Sequence, residues 1–217
     1  MKFVVTAGPT REAIDPVRFI SNRSSGKMGY AIAEMALAAG HSVVLISGPS
    51  AVTPPKGAEF ISITSSDELY DAVHREAPKC DVLVMCAAVA DYKPTIVHTQ
   101  KAPKQTGTVM LELAPTRDIL ASLPKESRNY LVVGFAAETQ NVEASARKKL
   151  GTKGCDLIVA NDVSKSDSGM ESDENEVTIF FQNGDSTKIS RASKKIIARE
   201  LVKIISKMLE KRLTKKS

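Results

Sequence analysis

Residues 15–29 gather the side chains and backbone positions best suited to chemistry. Ser24-Ser25-Gly26-Lys27-Met28-Gly29 stands where a polar loop gives way to a helical pattern, so unpaired N–H groups and the positive end of a helix dipole are open to an anion. Two nucleotide fingerprints fail here. A Walker A loop needs glycine five residues before Gly26 and Ser or Thr after Lys27, where the chain has Ser21 and Met28. Of the Gly-x-Gly-x-x-Gly pattern only Gly26 and Gly29 keep the spacing. Close approach of a phosphate at Gly26 and a capped helix packed tightly on a strand both satisfy what is left. Just upstream, Asp15-Pro16-Val17-Arg18-Phe19-Ile20-Ser21-Asn22 presents Arg18, able to make a charge-assisted bond to carboxylate or phosphate, and Asn22, able to donate and accept. Loop-fixing hydrogen bonds are the alternative for both.

Further along, Ala87-Ala88-Val89-Ala90-Asp91-Tyr92 follows the most apolar run, at the strand end where open α/β sheets bind ligands. Its small residues leave room for a flat ligand group. Asp91 could bind ribose hydroxyls or a metal-bound phosphate, or act as a turn aspartate. Lys101 and Lys104 lie in a polar stretch that suits either a mobile flap carrying charge over phosphates or a solvated loop. Gly134-Phe135-Ala136-Ala137-Glu138-Thr139 ends another apolar run, with Phe135 able to cover a base, and Lys149 and Lys153 stand four apart on one helical side, as ligands or as a solvated face. His41, His74 and His98 have no serine and aspartate arrangement around them, and no metal-ligand spacing occurs. Binding and electrostatics, rather than a protein nucleophile, must carry any reaction.

The elements that position these residues read as alternating strands and helices. Strand character at Phe3–Thr6, a helix over Lys27–Ala39 closed by Gly40, and a strand at Ser42–Ser47 make a βαβ unit with a long first loop. Ile61–Thr64, a helix from about Ser66 to Glu76, the strand Val82–Ala88, a helix starting near Thr116–Ile119, the strand Leu131–Phe135, a helix over Asn141–Leu150 and the strand Asp156–Ala160 repeat the pattern. Continuous apolar strands suit a parallel sheet covered on both faces. The fold class is therefore α/β: a Rossmann-like, doubly wound, mostly parallel sheet. Asn183-Gly184-Asp185 between Glu176–Phe181 and Ser186–Ser190 predicts a hairpin, which adds antiparallel edge strands near the C-terminus. From Arg191 the stripe Ile196, Ile197, Leu201, Ile204, Ile205, Met208, Leu209 predicts a closing amphipathic helix.

With 217 residues, 42% hydrophobic and 25% charged, the chain suits one domain over 1–217 with a basic tail at about 211–217. The net charge of +5 gathers at Lys203, Lys207, Lys211, Arg212, Lys215 and Lys216, a solvated helix face and tail rather than a nucleic-acid patch. No apolar run reaches membrane-spanning length and no signal segment precedes the first strand, so a cytoplasmic protein with no membrane or nucleic-acid partner is expected. Cys80, Cys86 and Cys155, odd in number and widely spaced, read as reduced core residues.

Taken in order, these blocks, with Thr6-Ala7-Gly8-Pro9-Thr10-Arg11-Glu12 before them and Ala160-Asn161-Asp162 after them, resemble the phosphopantothenoylcysteine synthetase family over roughly residues 3–200. The resemblance implies a ligase that joins 4′-phosphopantothenate to L-cysteine in coenzyme A synthesis through an acyl-cytidylate, with CTP as co-substrate, or ATP as in eukaryotic members, and Mg²⁺ beside it. It implies that Met85, Cys86, Ala87, Asp91, Phe135, Lys149 and Lys153 surround the nucleotide and that Lys101 belongs to a flap needed for acyl-cytidylate formation. By the same resemblance Arg18, Asn22 and Ala88 act on the intermediate, and Ser24, Ser25 and Gly26 cradle triphosphate or acyl-phosphate oxygens. A homodimer, with the hairpin edge as a pairing surface, and a separate decarboxylase are expected as partners. The chain departs from the family at Lys101-Ala102-Pro103-Lys104, where Lys-Ile-Lys-Lys is common, and at Arg117, where proline is frequent. A nicotinamide oxidoreductase and a basic binding module are the rival readings; the first lacks the acidic residue expected near Ile46.

Overall fold

The computed structural model describes residues 1–104, 106–138, 140–162 and 172–214, apart from the side chains of residues 162 and 213. Thr139 of the Gly134–Thr139 block, and Lys215 and Lys216 of the basic tail, lie outside the described residues.

Eight strands form the central sheet. Their ranges are β1 (Lys2–Ala7), β4 (Ser42–Ser47), β5 (Glu59–Ser62), β6 (Val82–Met85), β9 (Leu131–Glu138), β10 (Leu157–Asp162), β11 (Glu174–Phe181) and β12 (Ser186–Ser193). The spatial order is β12-β11-β10-β9-β6-β1-β4-β5. From β5 to β10 neighbours run parallel, and β11 and β12 add the antiparallel edge. The chain works outward from β1 through β4 to β5, then returns to lay β6 on the other side of β1, so the order reverses between β1 and β6. Two further pairs stand apart from the sheet: β2 (Arg11–Ala13) with β3 (Phe19–Ser21), and β7 (Tyr92–Pro94) with β8 (Leu113–Pro115).

Alternation along the strands divides the core in two. Phe3, Val5 and Ala7 of β1, with Val82 and Val84 of β6, face α1 (Lys27–Ala38) and α5 (Lys194–Thr214). Val4, Leu83 and Met85 face the other side, where α2 (Ser66–Glu76), α3 (Ile119–Ser122) and α4 (Val142–Thr152) contribute Leu69, Ile119 and Leu150. Gly29 sets the depth of α1: a Cβ there would stand 2.6 Å from Ala7 Cβ and 2.9 Å from the Thr6 carbonyl oxygen, so only glycine lets helix and strand approach this closely. Ser65 starts α2 by accepting the Glu68 N–H, as a Ser before an acidic first turn should. The cysteines are free, and burial pushes all three thiols up to about 12.

Several boundaries differ from the sequence reading. The strand expected over Val82–Ala88 stops at Met85 because the Thr6 hydroxyl accepts the N–H groups of Cys86 and Ala87, which therefore leave the ladder. The helix expected from Thr116 is one turn, capped by Asp118 through the Ala121 N–H and stopped before Pro124. The long first loop holds β2 and β3, turned by Asp15, whose carboxylate accepts the N–H groups of Val17 and Arg18. The last helix begins at Lys194, not Arg191, and continues to Thr214, so residues 211–214 are helix, not tail. Arg212 docks that end by donating to the carbonyls of Arg128 and Tyr130.

Candidate functional site at the strand-order reversal

The loops after β1 and β6 are stitched together where the order reverses. Ala88 N–H donates to the Gly8 carbonyl at 2.9 Å, and Thr10 N–H donates to the Ala88 carbonyl at 3.1 Å. The Thr10 hydroxyl accepts the Ala90 N–H at 3.0 Å, and the Thr6 hydroxyl accepts those of Cys86 and Ala87 at 3.1 Å each. Both threonines are fully buried, so these bonds hold the two loops in one arrangement. Gly26, at φ 78°, precedes α1, and a Cβ there would come within 3.2 Å of the Gly8 nitrogen. The glycine turn therefore rests on the same junction.

On the α3/α4 side of the junction lies a cavity of about 360 Å³. Met85, Ala87, Asp91, Phe135, Lys149 and Lys153, all singled out from sequence, line it. Lys149 pairs with Glu138 at 2.7 Å and Lys153 pairs with Asp118, so both ammonium groups are held by carboxylates. The Lys153 ammonium and the Ala121 N–H hold the Asp118 carboxyl below its usual range against the opposing effect of burial.

Cys86 is the exception among the residues expected to face a nucleotide. It is absent from the cavity lining and packs on the α1/α5 side, because Met85 and Ala87 take the other side and neighbouring side chains of an extended chain point opposite ways. The same parity applies at Phe135, a residue that lines the cavity and also packs against the α1/α5 cluster.

The remaining expected residues are absent from the cavity's lining. Asn22 donates to the carbonyl of Val89, a lining residue, at 2.8 Å. Ala88 lies in the stitched loop, and Ser24, Ser25 and Gly26 form the turn beside Gly8. Arg18 grips Asp15 through Nε at 2.8 Å and Nη2 at 2.5 Å, and its Nη2 also donates to the Ala102 carbonyl at 3.1 Å. Asp15 in turn accepts the Ala102 N–H at 3.3 Å. This node holds the segment carrying the exposed Lys101 against the first loop, and the guanidinium keeps the Asp15 carboxyl far below the ordinary carboxylate range. The alanine at position 102 contributes only its backbone, so the departure there leaves the anchor intact.

Thr116, Arg117, Asp118, Ile119 and Leu120 were missed as a group, although they form one wall of the cavity. Their signal was the Asp118-Ile119 helix start. Arg117 stacks over Tyr70, 3.7 Å from the ring centroid, and bonds Asp67, which also pairs with Lys93 of β7. Lys93 first, then Arg117, hold the Asp67 carboxyl below its usual value.

Comparison with known proteins agrees with the fold. The chain is 48% identical over 204 residues to the coenzyme A biosynthesis bifunctional protein CoaBC of Bacillus subtilis (strain 168), covering 94% of this chain and 50% of that one. It thus spans about half the length of the curated relatives it matches. The crystal structure of the C-terminal domain of a CoaBC protein superposes with a TM-score of 0.83 at 43% identity, over 97% of this chain and 96% of that one. The DNA/pantothenate metabolism flavoprotein from Streptococcus pneumoniae superposes at 0.82 with 26% identity, over 96% and 99%. The family model for the C-terminal domain of DNA/pantothenate metabolism flavoproteins matches residues 1–209, and the chain belongs to that family.

Proposed function

We propose that the protein is a phosphopantothenate–cysteine ligase of coenzyme A synthesis that uses CTP and proceeds through an acyl-cytidylate. The observation that carries this reading is the convergence of Met85, Ala87, Asp91, Lys149 and Lys153 on one cavity at the strand-order reversal, where open α/β sheets bind ligands. The bifunctional relatives supply the pathway by name.

Two steps account for the products. A carboxylate oxygen of 4′-phosphopantothenate attacks the α-phosphorus and pyrophosphate leaves; the cysteine amine then attacks the acyl carbonyl, CMP leaves, and the amine loses its proton. The protein has to place these groups and balance charge. In this reading the nucleoside occupies the cavity, and Lys149 and Lys153 exchange their carboxylate partners for phosphate oxygens. Lys101 brings charge over the triphosphate from the segment that Asp15 and Arg18 anchor. Asn22, fixed by its bond to the Val89 carbonyl, orients the acyl group for the second step, with Arg18 beside it.

Magnesium enters with the nucleotide. Among the described residues no three His, Cys, Asp or Glu side chains converge as a metal cage. An ion that keeps its waters and takes triphosphate oxygens needs only one or two carboxylates, a requirement the exposed Asp91 fits; the bound ion would neutralise phosphate charge.

Homodimer formation belongs to the same reading. The β12 edge is polar, and Phe19 of β3 with neighbouring Val17, and Tyr92 of β7 with nearby Ile96 and Val97, are exposed apolar side chains that give this reading a second candidate surface. No helix among the described residues is long and apolar enough to cross a membrane.

The test is pyrophosphate release with CTP or ATP, with and without cysteine. CTP-dependent release requiring 4′-phosphopantothenate is expected; no release with either nucleotide overturns the reading. Asn22→Asp should still release pyrophosphate yet fail to consume cysteine, and normal product formation by that variant would remove the role given to Asn22.

A further inference from the structure

The cavity wall at residues 116–120 rests on a helix too short to hold itself. Helix α3 is a single turn, and a first turn fixes several backbone dihedrals for one hydrogen bond, so its place must be set from outside. Ile119 and Leu123 are buried and pin its inner side. On its other side it meets α2.

Asp67, Tyr70, Asp71 and His74 of α2 stand at helical spacing and share the face opposite the buried Leu69, Ala72 and Val73. Three of them hold Arg117. Its guanidinium lies 3.7 Å from the Tyr70 ring centroid, its Nε donates to the Asp67 carboxylate at 3.1 Å, and its Nη2 reaches Asp71 at 3.5 Å. The fourth holds the far end of the wall, with His74 Nε2 and Ser122 Oγ 2.9 Å apart. Ser122 gives its own hydroxyl proton to the Ile119 carbonyl at 2.7 Å, which leaves the His74 Nε2–H as the donor. Between the two ends the rings of Tyr70 and His74 are in contact, their centroids 4.2 Å apart. Guanidinium, phenol, imidazole and hydroxyl thus form one series from residue 117 to residue 122. Asp67 also pairs with Lys93 of β7, so the same stripe of α2 holds the strand that follows Asp91.

None of Asp67, Tyr70, Asp71 and His74 lines the cavity. A solvated ion pair by itself is worth little, but here ion pairs, ring contacts and a hydrogen bond all end on residues 117–122 and on β7. From α4 the wall is held by Lys153 through Asp118, and in the ligase reading Lys153 leaves that carboxylate for phosphate when nucleotide binds. The contacts from α2 then have to keep the wall in place. We propose that this face of α2 is a splint for the cavity wall, with Asp67, Tyr70 and His74 as positioning residues that act on the nucleotide through Arg117 and Ser122. The identity of the ligand rests on the ligase reading; the bracing of the wall does not.

Hydrogen exchange and CTP calorimetry on the full chain test the splint. The variants are Tyr70→Ala, His74→Ala and Arg117→Ala, with Tyr70→Phe and His74→Gln as conservative partners that keep the ring and the donor. The amides of Ala121, Ser122 and Leu123, which bond back to Asp118 and Leu120, report on the wall. A cation–π contact or a single hydrogen bond corresponds to a factor of about 2–10, so in the alanine variants those amides should exchange faster, and CTP bind more weakly, by about that factor. Tyr70→Phe and His74→Gln should stay near wild type in both. In turnover the KM of CTP should rise while that of cysteine stays fixed, a split that a general loss of stability does not produce. Wild-type exchange at the three amides in folded His74→Ala and Tyr70→Ala overturns the splint, and so does faster exchange with unchanged nucleotide affinity. Weaker binding in Arg117→Ala alone would make Arg117 a direct ligand and overturn it equally. Because His74 is only half-buried, His74→Ala decides the matter even if Tyr70→Ala fails to fold. A wild type that binds neither CTP nor ATP removes the nucleotide reading, and exchange in the same variants then decides the bracing alone.

Discussion

Replacing Thr6 by valine tests whether one hydroxyl holds the junction. Valine keeps the shape and β-branching of threonine, so the change isolates the oxygen. That oxygen accepts the N–H groups of Cys86 and Ala87 at 3.1 Å each, and its own long contact to the Val84 carbonyl at 3.4 Å adds little. Leaving a buried donor unpaired costs about 1–3 kcal/mol. Cys86 and Ala87 are only partly buried, so the low end applies to each, and about 2 kcal/mol is expected in total. For a chain of this size that corresponds to a fall in Tm of about 4–8 °C. Calorimetric unfolding measures it, and Thr6→Ser, which restores the acceptor and loses a methyl, is the control. Pyrophosphate release should fall further in Thr6→Val than in Thr6→Ser, because the freed loop carries Ala87 and Ala88. If Thr6→Val unfolds within 1 °C of wild type while Thr6→Ser is the weaker protein, packing holds the junction and the hydrogen-bond argument fails.

Asp15→Asn should loosen the segment around Ala102 and slow the first half-reaction more than the second, as single-turnover pyrophosphate release would register. The Asp15 carboxyl titrates lower in the folded protein than in the unfolded chain, so its stabilisation is complete at neutral pH and is lost as pH falls below about 4 toward the folded value. The stability gap between wild type and Asp15→Asn should close over that acid range, and a gap that widened there would refute the assignment. Gly29→Ala should destabilise: overpacking against Ala7 costs about 1–3 kcal/mol, against a helix-propensity gain of at most about 1 kcal/mol; a raised Tm would show that α1 shifts freely on β1. Glu138→Gln should tighten CTP binding up to about fivefold at low salt, since a carboxylate near the phosphates is worth about 1 kcal/mol in a solvated setting; weaker binding would mean that Glu138 chiefly orients Lys149.

The elements legible in the sequence were those whose pattern is local. The helix over Lys27–Ala38 and strands β1 and β4 carry long apolar periods closed by Gly40 and Gly48, and they fall within a residue or so of expectation. Strands β2, β3, β7 and β8 are three residues each, too short to show alternation, and are fixed by distant partners: Ser21 donates to the Thr10 carbonyl, and Thr116 N–H donates to the Asp91 carbonyl. Within the site, Asp91, Lys149 and Lys153 were legible because strand ends and a four-residue helical spacing fix where they go. Cys86 packs on the opposite side from Met85 and Ala87, because a motif names neighbours without saying which face each one takes. Arg117 stood out only as a departure from the family, because a helix start does not show which wall its residues build.

The division of the site follows from the topology. Where the strand order reverses, the loop after β1 leads to a helix on one face of the sheet, while the loop after β6 leads to β7 and the wall that borders the other face. Residues from both loops meet only along the rim, and there Thr6, Gly8, Thr10 and Ala88 bind them into a single partition. A reaction that joins an acyl group to a nucleotide and expels another phosphate group needs its nucleoside, reacting carboxylate and leaving group held in distinct places. On the α3/α4 side of that partition Lys149 and Lys153 line the recess, and Asn22 reaches its rim through the Val89 carbonyl.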